Sequence, residues 1–139
     1  HNREYTQFFS ASEAADIVEK TGIEERRFAP EGMCSSDLCE AAAHRLIEDM
    51  GISKDDIGVL VFVSQTPDYR MPATSVLLQH RLGLSKNTMA FDINLGCSAF
   101  VYALSVVYSL VEKGTVKYAL LLDGETRSRV YHPKDRRVA

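Results

Sequence analysis

The run Ile57-Gly58-Val59-Leu60-Val61-Phe62-Val63 is continuously apolar and rich in β-branched residues. That pattern predicts a central parallel strand covered on both faces, because a half-exposed strand alternates apolar and polar positions. Two shorter apolar runs, Met89 to Ile93 and Val116 to Leu122, predict further strands. The segments between them read as helices: Ala73 to Leu82 closed by Gly83, and Cys97 to Lys113 ending at Gly114. The polar stretch Ser64 to Pro72 reads as a loop.

Two helices are predicted ahead of the first strand. Ser10 followed by Glu13 forms a capping box, so a helix runs from about Ala11 to Lys20 and stops at Gly22. Asp37 with Glu40 caps the next, whose apolar positions Leu38, Ala42, Leu46 and Met50 recur every four residues until Gly51. Residues Ile23 to Cys34 keep no period and contain Pro30 and Gly32, the signature of loop or irregular strand.

Strand, helix, strand, helix, strand describes right-handed βαβ units, hence an α/β fold with a mainly parallel central sheet and helices on both faces. No internal repeat, low-complexity tract or linker interrupts it, so residues 1–139 read as one domain. The polar stretch after Asp123 ends without a terminal element and the start is equally abrupt, which suggests a piece truncated at both ends.

Composition narrows the class. Of 139 residues, 45% are hydrophobic and 25% charged, with a formal net charge of -3. Basic residues are scattered apart from Arg26–Arg27 and Arg136–Arg137, so no nucleic-acid surface is expected. The apolar stretch Leu95 to Val111 is interrupted by Gly96, Ser98, Ser105 and Ser109 and falls short of the ~20 residues that span a bilayer. It reads as a buried helix, and no membrane association is expected. Three cysteines, Cys34, Cys39 and Cys97, with no signal-peptide pattern, favour a reducing, cytoplasmic setting over a disulfide framework. Cys34, Cys39 and His44 have spacings that suit zinc, but no second ligand pair of standard spacing accompanies them, and no metal is expected.

The chemistry centres on Asn94-Leu95-Gly96-Cys97-Ser98-Ala99-Phe100, between a strand and a long apolar helix. A tight turn at Gly96 places Cys97 at the helix amino terminus, at the carboxyl end of the sheet, where open α/β folds bind ligands. Unpaired backbone N–H groups and the helix dipole stabilise a thiolate there, and the same N–H groups suit a developing oxyanion. Cysteine is also common as a small buried residue, and periodicity and spacing leave both readings open.

Four stretches resolve the choice. They are Thr21-Gly22-Ile23-Glu24-Glu25-Arg26; Gln65-Thr66-Pro67-Asp68-Tyr69-Arg70-Met71-Pro72; Phe91-Asp92-Ile93-Asn94-Leu95-Gly96-Cys97-Ser98-Ala99-Phe100; and Val116-Lys117-Tyr118-Ala119-Leu120-Leu121. With them, in this order, the chain resembles β-ketoacyl-acyl carrier protein synthase III along nearly its whole length. The resemblance implies a thiolase-like fold built from two similar halves, with this chain as the amino-terminal one. It implies Cys97 as the nucleophile of a decarboxylative Claisen condensation. An acyl group passes from a thioester to the cysteine, and a carbanion from malonyl-acyl carrier protein then attacks it. The family's His and Asn partners belong to the carboxyl-terminal half. His1, His44, His80 and His132 match no such motif and are read as non-catalytic.

The resemblance also carries roles to three other positions. Met71 falls where the family crosses a dimer interface to line the partner's acyl pocket. Arg136 matches an arginine at the nucleotide end of coenzyme A, and Lys20 a basic residue near the same ligand. Each has a plainer account, as a surface contact, a solvated charge and a helix-terminal lysine. Acetyl-coenzyme A-using members place a tryptophan four residues before the basic position. This chain has no tryptophan, and Asp16 stands there. An acyl carrier protein, or another acyl-coenzyme A held differently, is therefore the expected donor.

The implied substrates are acyl-coenzyme A or acyl carrier protein thioesters, no separate cofactor is expected, and the implied assembly is a homodimer. Two alternatives keep part of this picture. Acyl transfer to oxygen or nitrogen would use the same fold and cysteine, and a non-catalytic dimerisation module would use neither chemistry.

Overall fold

The computed structural model of the chain describes residues 6–23, 25, 27–132, 134 and 135. They fall into two compact units, one formed by residues 32–125 and the other by residues 1–31 with 126–139.

In the larger unit the elements run α2 (Ser35–Met50), β1 (Ile57–Val63), α3 (Thr74–Arg81), β2 (Met89–Ile93), α4 (Ala99–Glu112) and β3 (Tyr118–Asp123). The strands form one parallel sheet in the order β2-β1-β3, so β1 is central, as its unbroken apolar run requires. Alternate residues of β1 supply two cores. Leu60 and Phe62 pack with Cys39, Ala43 and Ile47 of α2, Leu78 of α3, and Leu120 and Leu122 of β3. Val59, Val61 and Val63 pack on the opposite face with Ala99 and Ala103 of α4. Burying five such side chains at 0–2% exposure on one strand fixes its register, since a one-residue slip would exchange the two faces.

Gly58, also on β1, is required by a close approach. A Cβ there would stand 2.5 Å from Cγ1 of Val116, and Val116 packs on the α4 side of the sheet.

Two expectations need correction. In α2 the sheet-facing stripe is Cys39, Ala43 and Ile47, while Leu38, Leu46 and Met50 are exposed. Both stripes recur every four residues, and the periodicity does not say which faces inward. The helix also starts earlier than Asp37: its cap is Cys34, whose N–H donates to Asp37 Oδ2 at 2.8 Å. The second correction concerns α4. Only Ala99 and Ala103 are buried, and Phe100, Val101, Tyr102, Leu104 and Tyr108 are exposed. Its apolar character on every side therefore does not reflect burial within this unit. No helix among the described residues is long and apolar enough to cross a membrane.

The smaller unit contains α1 (Ala11–Thr21), which the sequence predicts almost to the residue. Ser10 caps it: its N–H donates to Glu13 Oε2 at 3.0 Å and its Oγ accepts the Glu13 N–H at 3.3 Å. Gly22 ends it in the left-handed region with φ 67°. Ala14 and Ile17 are buried against Phe9.

Candidate active site

Parallel pairing puts the carboxyl ends of all three strands on one edge. Val63 is level with Ile93 on one side and Asp123 on the other. The residues that follow each strand, Ser64 to Met71, Asn94 to Ser98 and Gly124–Glu125, are therefore gathered at that edge, the usual ligand side of an open α/β sheet.

Cys97 lies in the turn between β2 and α4 and is exposed. The turn closes when the Ala99 N–H donates to the Gly96 carbonyl at 2.8 Å, and α4 begins as Tyr102 N–H donates to the Ser98 carbonyl at 3.1 Å. The helix starts two residues later than the sequence predicts, so Cys97 belongs to the turn and precedes the first helical residue. An exposed thiol there does not fill a core position, the plainer role open to it. The other two cysteines differ: Cys34 is half-buried at the start of α2, and Cys39 is buried in the core. Burial, then the nearby carboxylates of Asp123, Asp68 and Glu125, push the Cys39 thiol up from 9.0 to about 11. A thiol held neutral and walled in is a poor nucleophile.

The loop after β1 is built around carboxylates that the sequence reading left without roles. Glu125 accepts the Gln65 N–H at 2.5 Å and the Thr66 hydroxyl at 2.8 Å. Asn94 donates from Nδ2 to the Ser64 carbonyl at 3.3 Å, linking this loop to the Cys97 turn. Asp68 accepts from the Ser36 hydroxyl and N–H, and Arg81 donates to Ser36 Oγ at 3.2 Å and to Asp37 Oδ1 at 2.7 Å while also pairing with Glu40. The start of α2, the end of α3 and the loop carrying Met71 are thus one polar network. Asp92, inside β2, accepts the first N–H groups of α3, from Thr74 and Ser75. An Asp within a strand is unfavourable by β-propensity, and that was the available signal that it serves another element.

The remaining predicted residues are placed as follows. Met71 is 89% exposed in the loop and joins Pro72 through a cis peptide bond. Lys20 belongs to the smaller unit, in the last turn of α1, where its Nζ pairs with Asp16 Oδ2 at 2.8 Å on an exposed surface. Arg136 lies outside the described residues, as does His1. His44 and His80 are exposed, and among the described residues no group of three His, Cys, Asp or Glu side chains is placed to hold a metal.

Comparison with known proteins agrees with this geometry. Residues 91–139, which begin in β2 and include the Cys97 turn, match the family model for 3-oxoacyl-[acyl-carrier-protein] synthase III. A β-ketoacyl-[acyl-carrier-protein] synthase III from Thiobacillus denitrificans is 41% identical over 120 residues, 86% of this chain and 38% of that protein. The crystal structure of a 3-oxoacyl-(acyl-carrier protein) synthase from Burkholderia xenovorans superposes with a TM-score of 0.92 at 40% identity, covering 99% of this chain and 39% of that one. The synthase III of Aquifex aeolicus gives a TM-score of 0.88 at 30% identity, over 99% of this chain and 44% of that one.

Fold and turn together define a thiolase-like α/β architecture of the condensing-enzyme type, corresponding to one half of that two-half fold. The chain is similar to the amino-terminal part of β-ketoacyl-acyl carrier protein synthase III. It spans 38% of the length of the curated relative from Thiobacillus denitrificans.

Proposed function

We propose that this chain supplies the acyl-accepting cysteine of a decarboxylative condensing enzyme in fatty-acid or polyketide-type synthesis. The observation that carries the reading is the exposed Cys97 in the turn at the carboxyl edge of a parallel sheet, immediately ahead of α4. The thiolate takes an acyl group from an acyl-coenzyme A or acyl carrier protein thioester, and a carbanion from malonyl-acyl carrier protein then forms the carbon–carbon bond.

The pairing of Lys20 with Asp16 bears on the donor. Where coenzyme A-using members stack an aromatic ring on adenine, this chain places a carboxylate that holds the neighbouring lysine. Carboxylates repel phosphate, which favours an acyl carrier protein donor or a coenzyme A thioester bound without that stack. An assembly as a homodimer is supported by Met71, whose apolar side chain is 89% exposed in an otherwise braced loop.

No histidine of this chain lies in the family's catalytic motif, so the isolated 139 residues take up an acyl group but do not complete condensation. The test is intact mass after incubation with an acyl-acyl carrier protein and with acetyl-coenzyme A. One acyl group gained by the wild-type chain and none by Cys97→Ser supports the reading. Labelling that survives Cys97→Ser, or decarboxylation of malonyl-acyl carrier protein by this chain alone, overturns it.

A further inference from the structure

Glu125, just beyond the end of β3, directs both carboxylate oxygens at the loop after β1. Its Oε1 accepts the Gln65 N–H at 2.5 Å and its Oε2 accepts the Thr66 hydroxyl at 2.8 Å. The same stretch is held from α2, where the Ser35 hydroxyl donates to the Thr66 carbonyl at 2.6 Å, and internally by the Thr66 N–H, which donates to Ser64 Oγ at 3.0 Å. A carboxylate at position 125 is electrostatically unfavourable in itself. Asp123 is held above the usual carboxylate range, by burial first and then by Glu125. A neutral side chain would relieve that repulsion, so it is the two contacts to the loop that offset it.

The other side of residues 64–66 meets the Cys97 turn. Asn94 donates from Nδ2 to the Ser64 carbonyl at 3.3 Å, and a Cβ on Gly96 would stand 3.2 Å from Nε2 of Gln65. Gly96 thus leaves room for the Gln65 side chain against the residue just ahead of Cys97. Residues 64–66 therefore lie between the end of β3 and the turn that follows β2. Fixing them fixes the surface on which that turn rests.

We propose that Glu125 is a positioning residue for Cys97: by fixing residues 64–66, it holds the Cys97 turn in the orientation that acyl transfer requires. The inference rests on the acyl-transfer reading above, and Glu125 acts through the loop, not on the thioester. In the step concerned, the Cys97 thiolate forms a carbon–sulfur bond to the thioester carbonyl carbon. The carrier's carbon–sulfur bond then breaks, and the carrier leaves as a thiolate that takes a proton from water. Attack needs sulfur and carbonyl aligned, and a misplacement of about 1 Å set by a distant residue can cost ~100-fold. Alkylation of an exposed thiol by a small reagent makes no such demand.

The test compares acetylation of Cys97 by S-acetyl-N-acetylcysteamine with its alkylation by iodoacetamide, both followed by peptide mapping. Glu125→Ala is expected to slow acetylation roughly 10-fold, while alkylation stays within about twofold. Glu125→Gln can keep both contacts, its carbonyl accepting the Gln65 N–H and its amide donating to a reversed Thr66 hydroxyl. It is expected to acetylate within about twofold of wild type. A Glu125→Gln chain as slow as Glu125→Ala shows that charge matters and not placement, and overturns the proposal. So does equal slowing of both reactions, or of neither, in Glu125→Ala. Asn94→Ala cuts the same link at its other end, at an exposed position, and keeps the proposal open to refutation even if Glu125→Ala does not fold. It is expected to slow acetylation by a similar factor, and the double variant by no more than the slower single. An Asn94→Ala chain that acetylates like wild type, or factors that multiply in the double variant, overturns the route through the loop. A wild-type chain alkylated at Cys97 that accepts no acetyl group overturns the acyl-transfer reading, and this proposal with it, a result distinct from those above.

Discussion

Asp92, the penultimate residue of β2, accepts the backbone N–H of Thr74, at the start of α3, at 2.8 Å. Its other carboxylate oxygen accepts the N–H of Ser75, also at 2.8 Å. Both residues are fully buried, so water cannot replace the carboxylate as acceptor. Losing a helix N-cap costs typically ~1 kcal/mol, and an unsatisfied buried donor costs about 1–3 kcal/mol. Asp92→Ala is therefore expected to destabilise the chain by roughly 2–3 kcal/mol, combining both effects. Urea unfolding checks this: the midpoint falls with the slope unchanged, and Asp92→Asn, which keeps an acceptor, loses less.

Gly124 and Cys39 form a second tight pair, because a Cβ on Gly124 would collide with the Cys39 sulfur. Gly124 follows β3 and its N–H donates to the Val63 carbonyl at 3.1 Å, so the backbone is not free to withdraw. Gly124→Ala is expected to cost about 1–3 kcal/mol, the range for overpacking. Cys39→Ala removes the obstructing sulfur, so the double variant should be less destabilised than the sum of the singles. A cycle that closes additively would show that the two residues do not meet.

The thiols should separate by reactivity and by pH. Cys97 is exposed and Cys39 is buried, so iodoacetamide at pH 8 is expected to label Cys97 while Cys39 reacts only on unfolding. Peptide mapping of the alkylated chain checks the order. The native Cys39 thiol ionises at about 11 against an ordinary 9.0, so the folded state retains a proton that the unfolded state loses first. Below pH 9 the two states bind that proton equally. Above it, stability falls by up to about 1.4 kcal/mol per pH unit until the folded thiol also ionises. Cys39→Ala should flatten this alkaline slope relative to wild type, even from a lower starting stability.

The strands and their order were legible because continuous apolar runs have few alternatives once helices with clear Gly stops separate them. Ser10, Glu13 and Gly22 marked α1 nearly to the residue. The inward face of α2 was not legible: Leu38–Leu46 and Cys39–Ile47 are neighbouring apolar stripes, and only the sheet selects between them. The Cys97 turn was legible from its residues and its resemblance. Gln65, Glu125 and Asn94 were not, because their pairing depends on three strands ending at the same level, and no local spacing encodes a contact between residues 65 and 125. A long apolar helix reads as buried, yet α4 presents most of its surface outward in this unit, since burial depends on what packs there as well as on composition.

That outward surface of α4 leads to a prediction about association. Val101, Tyr102, Leu104 and Tyr108 are 66%, 61%, 49% and 64% exposed on one helix, alongside Phe100 at 49%. Apolar surface gathered in this way is unusual for a lone soluble unit and marks a face that packs against protein. Burying it against a second copy removes apolar area from water, while the stripe Ala99–Ala103 already used by the sheet is undisturbed. The isolated chain is expected to self-associate at high concentration, seen as a rise in weight-average mass by light scattering. Replacing Val101 and Tyr108 together by Glu puts charges on exposed positions with no packing role in this unit. It should weaken association by about 10-fold or more and leave the unfolding midpoint nearly unchanged. A wild-type chain that stays monomeric at high concentration would rule out this face as a self-association surface.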